Sequence, residues 1–212
     1  MDTCEQLILH LAGGLQPVKR LRSPVVRALL WLGVVGFLGT ALVLAFHRVP
    51  ALMERARDPK FALELVGTLA TGILAVVAAF ELSLPDRSLK WVLLPAPSLA
   101  LWLCSSGYSC WRHLIASDPG QIDPAETTLC LAWIVGFGVP LAISLFLVLR
   151  RSHPIDPVPA AVMAGLGVAS IAAFLLQFFH PYDVTFIDLG LHLAAVAIVI
   201  ILARAAAYPA LD

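Results

Sequence analysis

"VPAAVMAGLGVASIAAFLLQFF", Val158 to Phe179, contains no charged side chain. It is long enough to cross a bilayer, which takes about 20 apolar residues. Backbone amides in hydrocarbon must be satisfied within their own segment, so such a run reads as a transmembrane helix. Five further runs share this character: "VVRALLWLGVVGFLGTALVLAF" from Val25, "FALELVGTLATGILAVVAAFEL" from Phe61, "WVLLPAPSLALWLCSSGYSCW" from Trp91, "TLCLAWIVGFGVPLAISLFLVL" from Thr128 and "FIDLGLHLAAVAIVIILARAAA" from Phe186. None alternates apolar with polar residues as a barrel strand would. The expectation is an all-α polytopic membrane protein. It has a six-transmembrane-helix bundle over residues 25–207, a soluble segment 1–24 and a tail 208–212.

Composition agrees. Of 212 residues, 60% are hydrophobic and 13% charged, with a mean hydropathy of +0.90; soluble domains run at about 45–50% apolar and about 25% charged. The net charge of zero provides no basic field for nucleic acid, so lipid is the expected surrounding and direct nucleic-acid binding is not expected. The first apolar run is too long for a signal-peptide core and is read as a retained span.

Orientation follows from the cations. With the N-terminus inside, Lys19, Arg20, Arg22, Arg27, Arg87, Lys90, Arg150, Arg151 and Arg204 lie on the inner side, and Arg48, Arg55, Arg57, Lys60 and Arg112 on the outer. That bias puts both termini in the cytoplasm. Trp31 and Trp91 near inner boundaries, with Trp111 near an outer one, suit an interfacial aromatic belt. Small residues at helical spacing, Ala160, Ala164, Gly165 and Ala169 in the fifth span and Gly33, Gly36 and Gly39 in the first, suit close helix packing. Pro95, Pro97 and Pro140 are placed to kink the third and fourth spans.

The segment "MDTCEQLILHLAGGLQPVKRLRSP" differs from the rest. Thr3 and Gln6 have capping-box spacing, which predicts a helix start. Leu7, Leu11, Leu15 and Val18 fall on one arc, with Ile8 at its edge; Lys19 and Arg20 follow. This cytoplasmic amphipathic helix is too short to span and needs a surface: the inner leaflet, the bundle's own underside or another protein.

On the opposite face the topology collects Cys110, Cys130, His180, Asp183, Asp188 and His192. Asp188 and His192 are four apart and stack on one helix face, so each is the other's natural partner. Cys110 and Cys130 fit a disulfide, or a site with His180 for a soft or borderline metal, or simple buried thiols. A transiently bound transition-metal ion is the one cofactor this set offers. Cys104 points elsewhere, and Cys4 is expected cytoplasmic and reduced. No GxSxG or phosphate-binding loop occurs, and Glu64 and Glu81 sit near opposite ends of one span, so no enzyme is expected. A small transporter using Asp188, His192 and Glu64 as a relay is the alternative, although transport sites usually lie at the midplane. A membrane thiol oxidoreductase lacks paired CxxC motifs.

"LILHLAGGLQPVKRLRSPVVRALLWL" from Leu7, "DPKFALELVGTLATGILAVVAAFELSLPDRSLKWVLLPAPSLALWL" from Asp58 and "SSGYSCWRHL" from Ser105, in that order, resemble the six-span bacterial membrane proteins named for negative regulation of sigma F. The resemblance implies an anti-sigma factor in the inner membrane. Such a protein holds an extracytoplasmic-function sigma factor through its N-terminal segment, here Leu7, Ile8, Leu11, Leu15, Val18, Lys19 and Arg20. It releases that factor on periplasmic metal or oxidative stress. Cys130 matches the first of the family's two sensing cysteines. His180, in "FHPYD", stands where the pattern has the second, which leaves a mixed Cys/His site, a Cys110–Cys130 bond or another signal.

Overall fold

The computed structural model describes residues 2–13, 21–46, 53–115, 124–152, 154, 156–179 and, nearer the C-terminus, 190, 193–194, 196–198, 200–202 and 205. Among them there is no strand. The helices are α1 (Asp2–Gly13), α2 (Pro24–Ala45), α3 (Pro59–Leu82), α4 (Ala96–Ile115), α5 (Pro124–Leu149) and α6 (Pro157–Leu176). Short 3-10 turns at Leu89–Leu93 and Arg150–Ser152 lead into α4 and out of α5.

Five segments, Pro24–Ala45, Pro59–Leu82, Leu89–Gly107, Val135–Ser152 and Pro157–Leu176, are long and apolar enough to cross a membrane. The sixth predicted span falls largely outside the described residues. Those of it that are described are helical, and Ile200 Cα lies 2.8 Å from where a Cβ on Gly165 would sit.

Helix starts are written in proline, whose missing N–H costs nothing at the first helical position. Pro59 and Pro157 follow the caps Asp58 and Asp156, whose carboxylates accept from Lys60 N at 3.0 Å and Val158 N at 3.2 Å. Pro95 and Pro97 also mark a start. There the 3-10 turn of the span Leu89–Gly107 gives way to α4, with Pro97 in its first turn, and Pro140 lies in the interior of α5.

Arg27 at the start of α2 bonds to the end of α5, and Ser83, capping the end of α3, bonds to Ser152 beyond α5; these define the proximal end of the bundle. At the distal end Phe46, after α2, meets Phe179, after α6, and Arg55, before α3, reaches the Gln177 carbonyl. α3 therefore runs antiparallel to α4 and α6.

α6 is central: 78% of its span is buried, against 17–39% for the other four. Its contact with α3 is the tightest. A Cβ on Gly167 would lie 2.8 Å from Val76 Cγ2 and 3.1 Å from Val76 N, and one on Gly72 would lie 3.3 Å from the Gly167 oxygen, so the two backbones nearly touch. Dispersion over such a close approach replaces the hydrophobic drive that lipid removes. Ala160, Ala164 and Ala169 are buried in the same core. The α2 glycines divide. Gly39 faces Leu175, whereas Gly33 and Gly36 have nothing within 4 Å. Two buried hydroxyls of α3 turn back on their own helix: those of Thr68 and Thr71 donate to the carbonyls of Glu64 and Gly67, each at 2.7 Å. Such back-bonding to the preceding turn satisfies a hydroxyl within its own helix.

Candidate functional site

α1 carries the predicted partner-binding stripe. Leu7, Ile8 and Leu11 are 57%, 64% and 61% exposed, and every α1 side chain whose burial is described is exposed, so the bundle does not cover them. Leu9, about half a turn from that stripe at 100° per residue, is 68% exposed and was not among the residues singled out by periodicity. Leu15, Val18, Lys19 and Arg20 lie outside the described residues. Cys4 is an exposed free thiol on the same helix.

Of the predicted distal constellation two members are described, and those only as backbone. Cys110 falls on α4 and Cys130 on α5, with nothing described of their side chains. His180, Asp183, Asp188 and His192 lie outside the described residues. Near that end, Ser106 Oγ donates to Glu64 Oε1 at 2.7 Å, and Gln177 Nε2 lies 3.5 Å from the Thr68 hydroxyl. Arg55 stacks over Phe61, 4.4 Å from the ring centre, and Trp133 packs between Phe137 and Phe179 at 4.5 and 4.7 Å. Glu81 is at the other end of α3, paired with Arg87 at 3.0 Å. The two glutamates are 17 positions apart, about 26 Å along the helix. They cannot share a proton-transfer step.

The proximal end holds a node that residue counting along the sequence did not find. Arg27 is 9% exposed, its guanidinium donating to Ser152 Oγ at 2.6 Å and to the Val148 carbonyl at 2.7 Å, and lying 5.2 Å from the Phe80 ring centre. Ser83 Oγ joins the Ser152 hydroxyl at 3.1 Å, so α2, α3 and the end of α5 meet there. One turn up, Trp31 Nε1 donates to Ser144 Oγ at 3.2 Å with the indole 8% exposed. Trp31 is therefore an interhelix tie and not a member of a lipid-facing aromatic belt. Its reach across to a hydroxyl on α5 is what draws it inward.

The profile of the family described as negative regulator of sigma F matches residues 11–211. The chain belongs to that family. The family name implies negative regulation of a sigma factor. In this member of the negative regulators of sigma F, the match starts at Leu11, on α1, and runs through the whole bundle. No curated protein and no solved structure matches the chain.

Proposed function

We propose that the protein is an anti-sigma factor of the bacterial inner membrane. In this reading segment 1–24 faces the cytoplasm and sequesters an extracytoplasmic-function sigma factor, which is released on a periplasmic metal or oxidative signal. The observation that carries the reading is the uncovered apolar surface of α1, in a chain whose family name implies negative regulation of a sigma factor. Leucines at i and i+4 are the usual anchors of a helix laid in a groove, and Lys19 and Arg20 extend the contact. The test is retention. Full-length protein in detergent, co-expressed with the sigma factor, is expected to co-purify with it; a sigma factor found wholly in the unbound fraction rejects the reading.

On the periplasmic side Cys130 is assigned as the sensing thiol, with Cys110 and His180 completing a metal set or Cys110 a disulfide, and Asp183, Asp188 and His192 tuning it. Thiolate and imidazole are the donors that soft and borderline metals prefer. Cys130→Ser is expected to shift the dose of Cd2+ or peroxide needed for sigma-dependent transcription by about tenfold or more, equivalent to about 1.4 kcal/mol in sensor affinity. Sigma binding without stimulus is expected to stay unchanged. An identical dose response would remove Cys130 from the mechanism.

A further inference from the structure

We propose that Arg27 is a positioning residue that locks the first turn of α2 onto the C-terminal end of α5, so that the state of α5 sets how the segment ahead of α2 is presented. The inference rests on the anti-sigma reading for its consequence, but not for its geometry.

The last carbonyls of any helix have no intrahelical donor and carry a partial negative charge. Arg27 supplies a donor and a full positive charge to that end of α5 through the Val148 carbonyl, while a second nitrogen of the same guanidinium holds Ser152. No carboxylate among the described residues touches Arg27; its guanidinium is met there by the end of α5, the Ser152 hydroxyl and the Phe80 ring, so the bond to Val148 depends on where that helix end sits. Charge-assisted bonds of this kind are about twice as strong as neutral ones. Among the described residues, the interhelix hydrogen bonds of α2 are those of Arg27 and Trp31, and all reach α5 or the turn that follows it. α2, which packs chiefly against α3, is thus tied by hydrogen bonds at its proximal end to α5.

The other end of α5 carries Cys130, 18 positions before Val148 and about 27 Å away along the axis. Pro140 lies between them. Proline inside a helix removes one backbone bond and permits a bend, so a change at the distal end of α5 pivots the proximal end on which Arg27 closes. From there the path is short. Pro24 is buried as the first residue of α2, and every α1 side chain whose burial is described is exposed, so the described attachment of the binding segment to the bundle is this first turn. A fixed turn presents the segment in one orientation, and a released one averages it, which raises the ordering cost of binding. Two bundle states that hold the segment differently provide the differential affinity that any release signal requires.

The test uses full-length protein in nanodiscs, with spin labels at native Cys4 and at Arg150→Cys in a background lacking the other cysteines. Wild type is expected to give a narrow distance distribution and Arg27→Gln a broad one, with sigma-factor affinity lowered about tenfold. Arg27→Lys, which can hold only part of the node, falls between. Ser152→Ala removes one acceptor and no charge; it is expected to act in the same direction by about threefold, and serves if Arg27→Gln does not fold. If wild type binds and Leu11→Asp does not, yet Arg27→Gln matches wild type in distance and affinity, the latch is wrong and the anti-sigma reading stands. If wild type binds no sigma factor while Arg27→Gln still broadens the distances, the latch stands and the reading falls.

Discussion

Leu11→Asp in the full-length, nanodisc-embedded protein is expected to lower affinity for the cognate sigma factor by about a hundredfold while leaving the thermal midpoint of the bundle unchanged. Two terms produce the loss. Fully burying a leucine against a partner is worth about 1.5–3 kcal/mol, and that is forfeited. Placing a carboxylate in the apolar groove adds the cost of an unpaired charge. About 2.7 kcal/mol in total already corresponds to a hundredfold. The bundle is spared because Leu11, 61% exposed, covers none of it. Leu9→Asp is the internal control. It lies off the stripe, and a loss there several-fold smaller than at Leu11 is the signature of one helix face in a groove. Equal losses by biolayer interferometry would mean that α1 is enclosed on all sides or merely unfolded by either charge.

Gly167→Leu is expected to have the largest effect on the bundle itself, costing about 3 kcal/mol or more, at or above the top of the usual range for overpacked cores. The reason is what the new side chain meets. Its Cβ would lie 2.8 Å from a Val76 methyl, which can move, but also 3.1 Å from the Val76 nitrogen and 3.3 Å from the Gly72 oxygen, which cannot move without parting α3 from α6. Since α6 is the most enclosed helix, parting that pair opens the core. Gly33→Leu, at a position with nothing within 4 Å, is expected to change stability by less than about 0.5 kcal/mol, as surface substitutions usually do. Thermal unfolding followed by aggregation in detergent separates the two, and equal midpoints would contradict the assigned interface.

The spans were legible because hydrocarbon allows so few solutions: the uncharged run at Val158–Phe179 holds all but the first residue of the helix Pro157–Leu176, which proves to be the centre of the bundle. Close packing at Ala160, Ala164, Gly165 and Ala169 was readable for the same reason, since small residues on one face admit a neighbour. What was not legible depends on reach across space. Arg27 entered the sequence reading only as one of nine inner cations. Nothing in a one-dimensional count shows that its guanidinium extends to the end of a helix 121 positions away. Trp31 was misassigned to a belt because proximity to a span boundary is the same in sequence whether the indole faces lipid or Ser144. Leu9 was passed over because a stripe was sought, and an exposed helix has no buried side to break the symmetry. His180, Asp183, Asp188 and His192 lie outside the described residues, and periodicity does not specify how residues in separate segments are placed relative to one another.

The account depends on a signal crossing the bilayer, and single-cysteine variants measure that most directly. Cys4 is an exposed thiol on α1, so a variant retaining it alone and another retaining Cys130 alone can be treated with a membrane-impermeant maleimide in intact spheroplasts and again after lysis. The expected result is that Cys130 labels in intact spheroplasts while Cys4 labels only after lysis. Labelling of both in the same compartment would contradict the account.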